Sequence, residues 1–309
     1  MSPGNFADRV HEAIRRKNSR VVIGLDPDWE RLPQPLREQA HAVMSPGTRI
    51  ELWAIREFCE SIIEATADLA LAFKPQIAFF ERYGADGIRV LQRILEDHPN
   101  EKFILDCKRG DIGNTSKAYA RAYFHHQGEE PAPLPSDAVT HNAYFGRDSL
   151  EPYFEFLADG KGMFVLVRTS NPSAGEFQDL ESSGAPLYEH VARRVAEWGK
   201  DCIGKCGYSS LGLVVGATFP EEAKRVRSAA PQALVLVPGF GSQGGDIKSA
   251  GVFCGEDGNG AIHNFSRAVI YAFASGPFSK EHPDEQYGQA ARVAADFYRV
   301  RLNEILGQG

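Results

Sequence analysis

Short apolar runs of strand length recur eight times along this 309-residue chain, with helical patterns between them, and no other feature restricts the fold so strongly. The runs are Val21–Leu25, Leu69–Phe73, Phe103–Leu105, Ala138–Thr140, Met163–Val167, Leu211–Val215, Leu234–Val237 and Ala261–Ile262. Most are continuous rather than alternating, the pattern of strands covered on both faces. Amphipathic stretches at Ile50–Leu69, Gly87–Asp97, Leu187–Trp198 and Pro220–Ala230 lie between them. Pro220-Glu221-Glu222 reads as a helix start, because proline fits the first turn and acids offset the dipole. Strand–helix alternation on this scale predicts an α/β fold, a (β/α)8 TIM barrel, over an open sheet. A single barrel domain over residues 1–309 with extended loops is expected, with an N-terminal extension at 1–19 and a C-terminal helix at about 285–306. The Pro-rich stretches Trp29–Pro46 and Glu130–Pro135 read as loop insertions rather than linkers.

In such a barrel the C-terminal strand ends share one rim, where active sites are built. The first run ends in Asp26, the second in Lys74, and the third in Asp106 and Lys108. The fourth ends in His141 and Asn142, the fifth in Arg168, Thr169 and Ser170, and the sixth in Gly216-Ala217-Thr218. The last two end in Pro238-Gly239 and Ser266-Arg267. The third end is the densest, reading Asp-Cys-Lys-Arg-Gly-Asp-Ile-Gly-Asn-Thr from Asp106 to Thr115. Residues two apart on a strand share a face, so Asp106 and Lys108 project together. Gly110 allows the chain to turn Asp111 back toward them. Desolvating ions is costly unless partners compensate. Two readings stand on the motif alone: a catalytic cluster, or a solvated turn that happens to be charged.

The net charge of −7 argues against a nucleic-acid binder, and 43% hydrophobic with 24% charged residues is ordinary for a globular protein. Five cysteines without Cys-x-x-Cys spacing point to a reduced, cytosolic protein without structural zinc; Cys202 and Cys206 have no second ligand pair. No charged-then-apolar leader and no run near the ~20 residues of a membrane span is found, so a cytoplasmic location without a membrane partner is expected. Gly239-Phe-Gly-Ser-Gln-Gly matches a dinucleotide pattern, but no helix signal opens directly after it. A phosphate loop after the seventh strand is the stronger reading, with Gln243 as amide donor and Arg267 as a forked phosphate partner. The alternative for Arg267 is a surface salt bridge. His125 and His126 are expected in solvent. His141 and His263, lacking a carboxylate at ligand spacing, are expected as hydrogen-bonded structural residues rather than metal ligands. Ser170 has no base partner or nucleophile elbow and is expected to hydrogen-bond a substrate.

Gly24-Leu25-Asp26, Phe73-Lys74-Pro75, Asp106-x-Lys108-x-x-Asp111 with Ile112-Gly113-Asn114-Thr115, and Pro238-Gly239…Gln243…Ser266-Arg267 together resemble the orotidine 5′-monophosphate decarboxylase family, from about Val21 to Ala272. Long loops at Asp28–Ile50, Asn171–Leu187 and Gly244–Gly260 are similar to those of its longer, bacterial-type branch. The resemblance implies a homodimer that converts orotidine 5′-monophosphate to uridine 5′-monophosphate and carbon dioxide in de novo pyrimidine biosynthesis, with no metal or organic cofactor. It implies Lys74, Asp106, Lys108 and Asp111 as the catalytic array, with Lys108 protonating C6. It further implies Asp26 and Thr115 at the ribose hydroxyls, Ser170 at the pyrimidine edge, and Gln243 with Arg267 at the phosphate. Asp111 and Thr115 would serve the neighbouring subunit's site. One rival is a sugar-phosphate barrel of the same superfamily that uses Asp-x-Lys-x-x-Asp with magnesium, against which the Ile112–Thr115 continuation argues. The other is a catalytically silent nucleotide sensor, which has no need of all four charges.

Overall fold

Every residue of Val21-Val-Ile-Gly-Leu25 is buried, which demands partners on both edges and cover on both faces. The computed structural model, which describes residues 4–45, 49–241, 244–274, 277–279 and 283–307, supplies both. Eight parallel strands carry the fold: β1 (Val21–Leu25), β2 (Ala72–Pro75), β3 (Ile104–Arg109), β4 (Ala138–His141), β5 (Gly162–Arg168), β6 (Ser209–Val215), β7 (Ala233–Val237) and β8 (Ala261–Phe265). Their order is β2-β1-β8-β7-β6-β5-β4-β3. The isolated bridges Phe73↔Phe103 and Gln76↔Asp106 join the two ends, so the sheet closes into a barrel with a thin seam between β2 and β3.

The outer layer is helical: α1 (Phe6–Lys17), α2 (Gln34–Val43), α3 (Ile50–Thr66), α4 (Ala85–Asp97), α5 (Gly113–Tyr123), α6 (Glu151–Ala158), α7 (Leu187–Trp198), α8 (Pro220–Ala229), α9 (Arg267–Ile270) and α10 (Tyr287–Ile305). After β7 a 3₁₀ segment, Ile247–Phe253, stands where a full helix would repeat the pattern. Glycine costs about 1 kcal/mol per residue in a helix interior, and the segment holds Gly251 and is flanked by Gly244, Gly245 and Gly255. The TIM-barrel expectation is met, with the strand boundaries shifted. The second strand starts at Ala72 rather than Leu69, because the amides of Leu69 and Ala70 both bond to the Thr66 carbonyl and finish α3. The third runs on through its charges to Arg109. Trp29–Pro46 is not plain loop: it holds a 3₁₀ turn and α2, with proline in its first turn and Leu36 and Ala40 buried.

Residues 6–17, within the expected N-terminal extension, form α1. Asn5 caps it, its Oδ1 accepting the Ala7 amide at 2.8 Å. Phe6, Val10, Ala13 and Ile14 make its apolar face and pack against strand-borne residues that include Val22, Ile104, Phe164, Val214 and Leu236. The helix thus plugs the N-terminal mouth of the barrel. Phe6 stacks edge-on against Phe164 with centroids 6.1 Å apart. Gly162 is required there, since a Cβ would lie 2.3 Å from the Phe6 ring. Burying a phenylalanine in this way contributes about 1.5–3 kcal/mol.

Candidate active site

With the lower mouth plugged, the inward side chains at the opposite ends of the strands enclose a cavity of about 410 Å³. Asp26 follows β1, Lys74 and Gln76 come from β2 and its exit, and Asp106 and Lys108 come from β3. Thr140 enters from β4, and Ser170 from just past β5. Leu166, Val214 and Leu236 form an aliphatic wall, and Asn264, Ser266 and Arg267 complete the ring. The approach of β8 to β1 depends on Gly24, where a Cβ would lie 1.8 Å from the Ser266 hydroxyl.

Asp106 is the hub. Its Oδ2 accepts from Lys74 Nζ at 2.6 Å and from Gln76 Nε2 at 3.1 Å. Its Oδ1 accepts from Lys108 Nζ at 2.5 Å and from the Thr140 hydroxyl at 2.9 Å. Burial alone would raise the Asp106 carboxyl, but the two ammonium groups and their hydrogen bonds outweigh it and hold it well below the usual carboxylate range. Burial likewise pushes the Lys74 ammonium down, and the charges of Asp106 and then Asp26 reverse that, leaving it raised. The two lysines differ in access: side-chain exposure is 5% for Lys74 and 45% for Lys108. The cluster is therefore a buried ion pair joined by a second, partly exposed ammonium that a ligand can reach, not a solvated turn.

The shared face of Asp106 and Lys108 is realised, though not by a regular pleat. Leu105 pairs with Val139 and Arg109 with His141, so three residues of β3 face Thr140 alone. Within this bulge Lys108 adopts φ +46°. Asp111 does not turn back to join the lysines. Its Oδ1 accepts the neighbouring Ile112 amide at 2.8 Å, and α5 starts two residues later. Asp111 and Thr115 both lie outside the cavity of their own chain. Ile112, between them in the chain, is exposed at 53%.

The far side of the cavity suits an anion. Gly239, Gly241 and Gly244 have φ of +106°, +75° and +93°, backbone that only glycine adopts without strain, and a Cβ at Gly245 would lie 2.6 Å from that of Ala217. Among the described residues no α-helix opens directly after this loop, only the 3₁₀ segment, which argues against the dinucleotide reading. Gln243 lies outside the described residues. Arg267 opens α9, is exposed, and forms no salt bridge with a described carboxylate, contrary to the surface-pair alternative. Asp26 holds a buried Oδ1 with no hydrogen-bond partner among the described residues, a group ready for a hydroxyl.

The histidines divide. His141 and His263 are buried, each with one ring nitrogen against a backbone carbonyl, at 2.9 Å from Asn142 and 3.3 Å from Ala250. Burial pushes both down to about 4. His125 and His126 are not in free solvent as expected: His126 stacks on Phe156 and pairs with Asp159 at 2.5 Å, while His125 accepts the Ala132 amide. Gln76, Thr140 and Asn264 were not singled out in the sequence. Gln76 sits two residues past Lys74 and Thr140 one strand across, positions that only the barrel register aligns with Asp106.

A closed parallel barrel with a buried Lys–Asp–Lys cluster at its C-terminal rim, facing a glycine loop and an arginine, defines an α/β-barrel enzyme. The chain belongs to the orotidine 5′-phosphate decarboxylase / HUMPS family, whose model matches residues 19–273. It is 40% identical over 306 residues to the orotidine 5′-phosphate decarboxylase of Rhodopirellula baltica, covering 97% of this chain and 98% of that one. Identity to the Caldicellulosiruptor bescii protein of the same name is 40% over 311 residues, covering 98% and 99%. The Leishmania donovani OMP decarboxylase structure matches with a TM-score of 0.75 and 31% identity, over 99% of this chain and all of that one (100%). The UMP synthase structure of the same organism matches equally well (0.75, 33% identity, 98% of this chain), but this chain spans only 57% of it. Among the described residues no helix is long and apolar enough to cross a membrane.

Proposed function

We propose that the chain decarboxylates orotidine 5′-monophosphate to uridine 5′-monophosphate, the step named by its relatives, in the cytoplasm and with residues 1–309 acting as one unit. The observation that carries this reading is the Lys74–Asp106–Lys108 cluster, with its partly exposed ammonium beside the aliphatic wall. Breaking the bond from C6 to the carboxylate releases carbon dioxide and leaves the electron pair on C6, in the ring plane. The π system cannot spread that charge, so fixed electrostatics must hold it. Lys108 supplies the positive charge and then the proton that completes C6–H, and it regains a proton from water. Asp106 orients Lys108 and faces the departing carboxylate, while Lys74 keeps Asp106 ionised.

Asp26 would accept from a ribose hydroxyl through its open oxygen, and Ser170 would meet the pyrimidine edge. The glycine loop, Gln243 and Arg267 would hold the phosphate, whose binding energy supports orientation at C6. Asp111 and Thr115, turned away from their own cavity, are read as serving the site of a second copy in a homodimer. The exposed Ile112 next to Asp111 is a side chain that such a contact would cover.

The magnesium-using sugar-phosphate reading is less well supported, because both Asp106 oxygens are taken by donors, two of them cationic. Loss of the ultraviolet absorbance of orotidine 5′-monophosphate, with one carbon dioxide released per uridine 5′-monophosphate, is the direct assay. Turnover should survive a chelator. A purified, folded chain that leaves this substrate unchanged would refute the proposal, and activity restored only by magnesium would favour the rival.

A further inference from the structure

Lys108 stands with Asn18 and Ser183 as the non-glycine residues at positive φ in the described chain, and of the three it alone lines the cavity. Lysine has no short polar side chain to ease that backbone, so its neighbours must hold it. The bulge takes the Lys108 N–H off the β3–β4 ladder, and the Thr140 hydroxyl accepts it at 3.0 Å. The same hydroxyl donates to Asp106 Oδ1 at 2.9 Å, the oxygen that also receives Lys108 Nζ at 2.5 Å. The result is a closed ring: Lys108 N–H to Thr140 Oγ1, Thr140 O–H to Asp106 Oδ1, and Lys108 Nζ to that same Oδ1. Thr140 itself is 2% exposed, and the single proton of its hydroxyl is committed to the carboxylate.

We infer that Thr140 is a positioning residue for the reaction proposed above: its hydroxyl fixes the left-handed backbone and the ammonium of Lys108 together, and so sets the aim of the proton donor. It acts through Lys108 and Asp106 rather than on the reacting carbon. Valine copies its shape but can neither accept the amide nor donate to the carboxylate. Serine keeps both functions with less bulk.

The test compares Thr140→Val and Thr140→Ser for kcat and KM on orotidine 5′-monophosphate, and for affinity toward uridine 5′-monophosphate. Thr140→Val should lower kcat about 100-fold, as small misplacements of reacting groups do, with KM and product affinity changed by less than about threefold. Thr140→Ser should stay within about threefold of the unmodified chain in all three. An unchanged kcat in Thr140→Val, a loss expressed in KM alone, or equal losses in both variants would overturn the inference. Should Thr140→Val fail to fold, Thr140→Cys takes its place, since a thiol is a weak donor and acceptor. A substrate-free readout separates this inference from the proposed activity: the ¹³C shifts of Lys108 Cα and Cβ in lysine-labelled protein. They should move in Thr140→Val and hold in Thr140→Ser. That result in a chain without turnover would support the positioning role and count against the activity, while unmoved shifts in Thr140→Val would overturn the role.

Discussion

Replacing Asp106 with asparagine keeps the side chain's size and removes the charge that two ammonium groups share. Lys74 Nζ lies 2.6 Å from Oδ2, which at an effective dielectric of about 20 corresponds to roughly 6 kcal/mol of attraction. Desolvation of both ions offsets much of that, yet removing one partner strands the other, and buried pairs broken in this way lose about 3–5 kcal/mol. Lys108, with 45% of its side chain exposed, is screened by water and adds little. The expected loss of unfolding free energy at pH 7 is therefore about 3–5 kcal/mol. The pH signs follow from the shifts. Asp106 has a depressed folded pKa, so its contribution is present above the ordinary aspartate value near 3.8 and is lost as pH falls through the folded one. Lys74 has a raised folded pKa, so its contribution is present below 10.5 and is lost only as pH rises through the folded value. In Asp106→Asn the largest influence left on Lys74 is burial, which depresses its pKa. The variant then gains stability relative to the unmodified chain as pH climbs from neutral toward 10.5. Urea unfolding of both proteins at pH 7 and at alkaline pH measures the difference directly. A variant within about 1 kcal/mol of the unmodified chain at pH 7, or a gap that widens with pH, would refute the reasoning.

The remaining expectations concern the rim and the plug. Lys108→Ala should lower kcat on orotidine 5′-monophosphate by more than about 10³-fold while product binding, measured by calorimetry, persists; equal turnover would remove Lys108 as proton donor. Arg267→Ala, losing charge-assisted hydrogen bonds, should raise KM about 10- to 100-fold, with any fall in kcat reporting lost loop or orientation energy; an unchanged KM would separate Arg267 from the phosphate. Phe6→Ala should cost about 3–5 kcal/mol in denaturant unfolding, because the plug cannot collapse into the space left under β5; a loss below about 1 kcal/mol would mean the barrel floor is held without α1.

Much of this molecule was legible from residue order. Continuous burial leaves continuous apolar runs, so the strands announced themselves, and a barrel gathers their ends, so Asp26, Lys74, Asp106, Lys108, Ser170 and Arg267 came out around one cavity. Helix α1 was passed over because its apolar face, Phe6, Val10, Ala13 and Ile14, is spread among charges and precedes the repeat. Thr140 and Gln76 were passed over for a different reason. A threonine in an Ala-Val-Thr-His strand carries no local sign of being opposite a bulge, and the bulge is visible only in the pairing of β3 with β4. Gly110 permits Asp111 to turn back toward Asp106 and Lys108. Permission is not direction: a Cβ at Gly110 would lie 3.3 Å from the Asn142 carbonyl and from the Phe145 ring, and the chain departs into α5.

The seam between β2 and β3 gives the ion pair a second meaning. Neighbouring strands elsewhere in the wall are tied by ladders, whereas here single bridges at Phe73↔Phe103 and Gln76↔Asp106 do the joining. The Ile77 amide reaches the Asp106 carbonyl at a slack 3.3 Å. Lys74 and Asp106 stand on opposite lips of that gap, so their charges work as a clasp on the hoop as well as in the chemistry proposed for them. Descendants of this chain are thereby bound by their own construction. A lineage that neutralises Asp106 keeps the main-chain bridges but loses the clasp, and must offset that loss elsewhere along the seam.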